Sequence, residues 1–247
     1  MTTLLLGFTI STIIALLAFA KKSLSESGAL AAIFVGTVIY FTLGWFAFLY
    51  LIVFFGSATA LNVLDDNSEP SQRNALQVLA NALLATLFAV LYAFTDQSIY
   101  VFLYFLSVAA SASDTWASDV GKLSKRLPRN LLTWRMMQTG LSGGVTLLGF
   151  IASMFASALF ALLAWIALGD VTLVVYLWLF ATLASIIDSA LGVVQVKYLR
   201  EGKITEDRRD GAKRHSGIAW LNNNLVNILS NALTIGLFVV LFGSRLF

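Results

Sequence analysis

The chain has no cysteine, one histidine and two prolines in 247 residues. The first absence excludes disulfides and thiolate-bound metals and leaves the compartment open. The scarcity of histidine means that any chemistry must rest on carboxylates, cations and backbone groups. Charge is scarce as well: 12% of residues are charged, about half the share in a soluble domain. No repeat of fixed period, no low-complexity tract and no separate soluble domain interrupts the sequence. A phosphate loop of the GxxxxGK[ST] type is missing.

What fills the sequence instead is apolar residue. Hydrophobic side chains make up 59% of it, and the mean hydropathy is +0.85. One soluble core of this size cannot bury that many, so the chain reads as an integral membrane protein, one transmembrane domain over 1–247. The apolar runs predict an all-α polytopic bundle of about eight spans of the length a bilayer needs. They fall at 3–20, 28–42, 45–63, 73–94, 98–113, 145–168, 171–194 and 221–242, with Gly44 dividing the second from the third. Spans two and five are short, consistent with tilt or with an end inside a polar cavity. Ala18-Phe19-Ala20 resembles a signal-peptidase site, but Lys21 and Lys22 follow the apolar run instead of preceding it, so the first segment reads as a retained helix. Ser23-x-x-Glu26 has the spacing of a capping box for the next helix, and the polar stretch from Asp65 to Gln72, with Pro70, reads as a loop.

Sidedness follows from the cations. With the N-terminus outside, the loops 21–27, 64–73, 114–144 and 195–220 all fall inside and carry 15 of the 16 lysines and arginines; Arg245 alone is outside. That agrees with the positive-inside rule, and the opposite orientation violates it almost completely. The outer connections, near Gly44, Asp96 and Gly169-Asp170, are short and nearly bare.

Polar residues recur at helical spacing within several spans. Asn74, Gln77 and Asn81 share a face of span four. Ser185, Asp188, Ser189, Gly192 and Gln195 share one in span seven, and Asn223, Asn224, Asn227 and Asn231 one in span eight. Unpaired polar groups in hydrocarbon cost several kcal/mol each, so these faces line a common interior. For the asparagines and serines, hydrogen bonding between helices is an equally good account. For Asp188, a carboxylate within an apolar span, function is the better one.

The densest chemistry lies between Ser111 and Gly144. Two carboxylates, Asp114 and Asp119, are followed by Lys122, Lys125, Arg126, Arg129 and Arg135, and then by a Gly140-Leu141-Ser142-Gly143-Gly144 turn. Carboxylates hold Mg²⁺, while cations and free amides hold phosphoryl oxygens. On a continuous helix Asp114 and Asp119 point about 140° apart, so a shared metal requires a helix break or a third carboxylate, for which Asp188 is the candidate. The expected metal set is therefore Asp114, Asp119 and Asp188, with Lys122 in the catalytic group. Lys125, Arg129, Arg135, Ser142, Gly143, Gly144 and His215 are expected to bind nucleotide or phosphate. The plainer alternative for Asp119 is an ion pair with Lys122 at i+3. For cations at an inner membrane boundary it is topology and anionic lipid, and a lone histidine in a basic loop, His215, is more often structural.

Ser23-Leu-Ser-x-Ser-Gly-Ala29, Gln77-Val-Leu-Ala-Asn81, Ser113-Asp-Thr-Trp-Ala-Ser-Asp-Val-Gly121, Gly140-x-Ser-Gly-Gly-Val-Thr146, Asp188-Ser-x-x-Gly192-x-x-Gln195, His215-Ser-Gly217 and Asn222-Asn-Asn-x-Val-Asn227 together resemble a multi-pass family long catalogued as a domain of unknown function. That family includes plant phytyl-phosphate kinase and vertebrate transmembrane protein nineteen, and the similarity runs over nearly the whole chain. The resemblance implies transfer of a phosphoryl group from a nucleoside triphosphate, CTP or another, to an isoprenoid monophosphate such as phytyl phosphate, in the salvage of phytol towards tocopherol. It implies membrane lipids, a nucleotide and an isoprenoid phosphate as partners, no nucleic acid, and a cell (inner) membrane, or a thylakoid or plastid membrane in a photosynthetic source. Two other classes fit the same residues. One is a CTP-dependent lipid-phosphate cytidylyltransferase; the other is a lipid or small-molecule transporter, against which the bare outer side argues.

Overall fold

A computed structural model describes residues 1–62, 72–206, 208 and 211–246. The loop expected at Asp65–Gln72 falls almost wholly outside these residues, as do Asp207, Arg209 and Asp210.

Helix α1, Thr2–Ala20, is followed by the 37-residue α2, Glu26–Asn62. Ser25, not Ser23, caps α2: its hydroxyl accepts the Gly28 amide at 3.2 Å. At Gly44 the backbone takes φ 81° and ψ −174°, a region open essentially to glycine alone. There the chain folds back, so that arms 26–43 and 45–62 pack side by side. The Tyr40 and Phe48 rings meet edge to face at 5.6 Å, and the Phe48 ring presses on Gly36.

Helix α3, Ala75–Thr95, opens on a reciprocal cap between Asn74 and Gln77 and ends at Asp96 in the left-handed conformation. Helix α4 spans Ser98–Lys122. A two-residue pair, β1 (Arg129–Asn130) with β2 (Gly144–Val145), leads to α5, Leu147–Leu168, which Thr146 caps and Gly169 terminates. Helix α6, Val171–Val194, feeds a three-stranded antiparallel sheet of β3 (Lys197–Arg200), β4 (Lys203–Thr205) and β5 (Lys213–Ser216), in the order β4-β3-β5. Helix α7, Asn223–Phe238, runs on through a π-helical turn, Val239–Gly243, and a last short turn, Ser244–Leu246.

The protein is thus a multi-pass membrane bundle. Among the described residues six helices are long and apolar enough to cross a membrane: α1, α2, α3, α5, α6 and α7 with its extension to Leu246. Two features separate this from the expected eight spans. α2 is two helical arms joined across the kink at Gly44, where the sequence places two spans, and α4 carries serines and aspartates over its last three turns. The two small sheets, absent from an all-α expectation, lie in the loops around the polar end.

Helix α4 is the axis of the bundle. Residues 102–113 are buried without interruption, surrounded by α2, α3, α5, α6 and α7. Its apolar half sits in an aromatic cluster in which the Tyr50 ring meets Phe105 at 4.8 Å and Phe160 at 5.1 Å. Buried phenols need partners. Tyr104 donates to the Ala47 carbonyl at 2.6 Å and Tyr50 to that of Phe160 at 3.1 Å. Towards its C-terminus α4 turns small and polar, and Gly121 packs against Gly149 of α5. Small residues let the two backbones approach closely here.

Candidate functional site

The polar faces converge where α4 changes character. A cavity of about 1740 Å³ opens at that end of the bundle, walled by the C-terminal half of α4, the α4–α5 loop and the starts of α3, α5 and α7, with the end of α6. It exceeds the usual range for a small-ligand site. Asn74, Gln77, Asn81, Asp114, Asp119, Lys122, Lys125, Arg129, Ser142, Gly143, Gly144, Ser185, Asp188, Asn223, Asn224 and Asn227 all line it.

At its floor Asp114 of α4 and Asp188 of α6 line the same small void, close enough for their carboxyl groups to interact. Asp188 is buried, and Asp114 is partly exposed. Ser230 of α7 donates to Oδ2 of Asp188 at 2.9 Å. With its amide turned to suit both neighbours, Asn227 donates to the same oxygen at 3.3 Å and to the Asn223 carbonyl at 3.0 Å. Beneath lies a void of about 10 Å³ between Asn81, Asp114, Asp188, Ser230 and Asn231, about one water in size. Asn231, also buried, ties α7 to α4 by donating to the Ser107 carbonyl at 2.9 Å.

Asp119 stands apart from that pair. Its Oδ1 pairs with Nζ of Lys122 at 3.2 Å, the i,i+3 alternative. Its Oδ2 accepts from the Asn62 amide at 3.2 Å, and the Asn62 oxygen accepts from Nη2 of Arg73 at 2.9 Å. Burial lowers the Arg73 pKa, and the nearby Asp119 charge raises it in part. The three-carboxylate metal set therefore meets a correction: Asp114 and Asp188 come together, while Asp119 is held by side chains of its own. Among the described residues no group of three or more histidines or carboxylates is arranged to hold a metal ion. Two carboxylates facing one another with neutral oxygens around them do fit Mg²⁺, which commonly takes one or two protein carboxylates and completes its shell with water and phosphate.

Three expected residues lie outside the cavity wall. Arg135 is exposed on the α4–α5 loop, and His215 is exposed on β5. Gln195 is fully buried at the end of α6, against Gly217. Asn74 and Gln77 line the cavity but also cap α3. Arg129 faces the cavity while its Nη1 donates to the Trp134 carbonyl at 3.0 Å.

The glycine turn is in place, but the Ser142 and Gly144 amides have partners. The Ser142 amide donates to Oε1 of Glu206 at 2.6 Å and its hydroxyl to Oε2 at 2.8 Å. Gly143, at φ +87°, lies against Val193, and a Cβ on Gly192 would come within 2.7 Å of the Gly143 nitrogen. The turn is therefore clamped to the end of α6. Lys197 is buried there too, donating to the Gly192 carbonyl at 2.9 Å. Burial lowers its pKa, and Glu206 raises it in part. The sequence reading missed Asn62, Ser230 and Glu206. Ser230 was detectable, lying three residues after Asn227 on the asparagine face; Asn62 and Glu206 sit beside loops and gave no periodic signal.

The opposite flank of the cavity is apolar. Leu147, Leu148, Phe150 and Ile151 at the start of α5 line it, with Leu127 and Trp134 of the loop. Leu147 is 72% exposed and Ile151 54%.

The family described as Integral membrane protein DUF92 matches residues 9–235. Protein PGR of Arabidopsis thaliana is 30% identical, over 94% of this chain and 93% of its own length. An uncharacterized membrane protein of Synechocystis is 27% identical over 92% of this chain and 88% of its own. One of Methanocaldococcus jannaschii is 26% identical over 69% and 74%. No solved structure matches the chain.

Proposed function

This chain belongs to the DUF92 family of integral membrane proteins, and from that premise we propose that it is a membrane prenyl-phosphate kinase. It would transfer a phosphoryl group from a nucleoside triphosphate to an isoprenoid monophosphate such as phytyl phosphate, at the cytosolic edge of the bilayer. One observation carries the proposal: a single cavity joins a facing carboxylate pair and a rim of cations to an exposed apolar flank. A polar head beside a greasy wall suits a lipid that ends in phosphate.

In this reading the isoprenoid tail lies along Leu147, Leu148, Phe150 and Ile151, and its phosphate reaches the floor of the cavity. Asp114 and Asp188 would hold a magnesium ion, which would supply neutralising charge for the nucleotide phosphates. Ser230 and Asn227 fix the orientation of Asp188. Lys122, Lys125, Arg126 and Arg129 draw the phosphate groups together and offset their mutual repulsion. An oxygen of the lipid phosphate attacks the terminal phosphorus of the nucleotide. The bond from that phosphorus to its bridging oxygen breaks, and the nucleoside diphosphate leaves. The acceptor is already an anion, so no general base is required, which suits a site without histidine. Catalysis is positioning and charge neutralisation.

The test is to incubate purified protein with phytyl, geranylgeranyl and undecaprenyl phosphates, each with every nucleoside triphosphate and Mg²⁺, and to separate the lipid products by thin-layer chromatography. A lipid diphosphate is the expected product. A nucleotide-linked lipid would make the protein a cytidylyltransferase. No product, with lipid flux in liposomes lacking nucleotide, would make it a transporter.

A further inference from the structure

We infer that the amide and hydroxyl of Ser142 form a seat for a phosphoryl group, that Glu206 holds that seat in this structure, and that an incoming phosphate displaces it; the inference rests on the phosphotransferase reading above. Glu206 reaches Ser142 from 64 positions away in sequence and places one carboxylate oxygen on each donor, at 2.6 and 2.8 Å. Two donors matched to two oxygens of one anion is the arrangement a phosphate also satisfies. The seat faces the cavity. The Ser142 hydroxyl also lies 3.5 Å from Oδ1 of Asn223, in the first turn of the 16-residue α7, where the helix dipole favours negative charge. Buried Lys197 adds a positive charge near Glu206.

The donors are fixed in advance by packing. Gly143 lies against the Val193 backbone, and Gly192 against Gly143. The backbone around Ser142 is therefore held by packing that does not involve Glu206. Glu206, by contrast, is half-buried and itself lines the cavity, so an anion entering there meets it directly. Glu206 thus acts as an internal competitor that keeps the donors satisfied until a phosphate arrives.

The experiment uses the full chain in detergent and follows inorganic pyrophosphate binding by the fluorescence of Trp134 and Trp220, both in the cavity wall. Glu206→Gln removes the competing charge with little change of shape and is expected to bind pyrophosphate about tenfold more tightly, the scale of one charge-assisted hydrogen bond. Ser142→Ala is expected to weaken binding several-fold, and Ser142→Thr, which keeps both donors, to restore it. Thermal melts of each variant separate these shifts from loss of fold. Binding by Glu206→Gln that equals or falls below wild type would show that Glu206 merely braces the turn, and would overturn the inference. Failure of every variant and of wild type to bind pyrophosphate would overturn it as well. The readout needs no turnover. A protein that binds as expected yet makes no lipid diphosphate would sink the kinase reading and leave the seat, and a kinase indifferent to Glu206 would do the reverse.

Discussion

Asp114 and Asp119 are five residues apart on one helix and live in opposite surroundings. Asp119 has an answer for each oxygen, Lys122 at 3.2 Å on one side and the Asn62–Arg73 relay on the other. Asp114 faces another carboxylate, Asp188, whose partners Ser230 and Asn227 are neutral. The first arrangement is self-contained and asks for no ligand. The second sets two carboxyl groups together at the floor of a cavity, where their repulsion is relieved by a shared proton or by a bound cation that takes its place. The difference teaches where to look: a carboxylate that the protein has neutralised is part of the scaffold, and one that it has left facing another is where a charged ligand enters.

Substitutions can break or sharpen that contrast. The largest effect is expected from Asp114→Asn and Asp188→Asn. Each should lower phosphoryl transfer by roughly three orders of magnitude or more, the scale of losing electrostatic stabilisation of a transferring phosphoryl group. Both variants should remain folded, Asp188→Asn with the larger drop in melting temperature because Asp188 accepts from Ser230 and Asn227; a variant that fails to fold would mean the pair is structural. Ser230→Ala comes next. Removing a hydroxyl donor to a buried carboxylate should reduce turnover about tenfold, consistent with the energy of a hydrogen bond to a charged group, and steady-state kinetics on the lipid substrate would show it. Asp119→Asn should be milder in rate, a few-fold, and should cost about 1–3 kcal/mol in stability, because its side chain is only 10% exposed and partners both Lys122 and Asn62; denaturant melts would check the second figure. Smallest of all, Arg135→Ala and His215→Ala should leave the rate within about twofold, because both side chains lie outside the cavity wall and exposed substitutions away from such features change little.

The membrane bundle was legible from the apolar runs because hydrocarbon demands long helices with every backbone group paired. The reversal at Gly44 was legible too, because two spans' worth of apolar residues need a break and glycine alone accepts φ 81° with an extended ψ. Helical spacing brought Asn81, Asp188 and Asn227 to one interior. Spacing along one helix cannot reveal partners on another, however. The pairing of Asp114 with Asp188 across α4 and α6, and the diversion of Asp119 to Asn62 and Arg73, depend on how the helices rotate against each other. The hold of Glu206 on Ser142 depends on loop paths that hydrophobic periodicity does not record. The same limit explains Arg135 and His215: each stands in a basic loop, which suggested phosphate contact, and the folding of those loops leaves both side chains exposed and outside the cavity wall.

The most direct test of the central contrast follows the terminal phosphoryl group itself. Wild type, Asp114→Asn and Asp119→Asn would each receive phytyl phosphate, Mg²⁺ and nucleoside triphosphate labelled in its terminal phosphate, and the lipid fraction would be counted. Label is expected in a lipid diphosphate from wild type and from Asp119→Asn, and at background from Asp114→Asn. A folded Asp114→Asn protein that transfers label at the wild-type rate, or an Asp119→Asn protein that alone has lost transfer, would contradict the account.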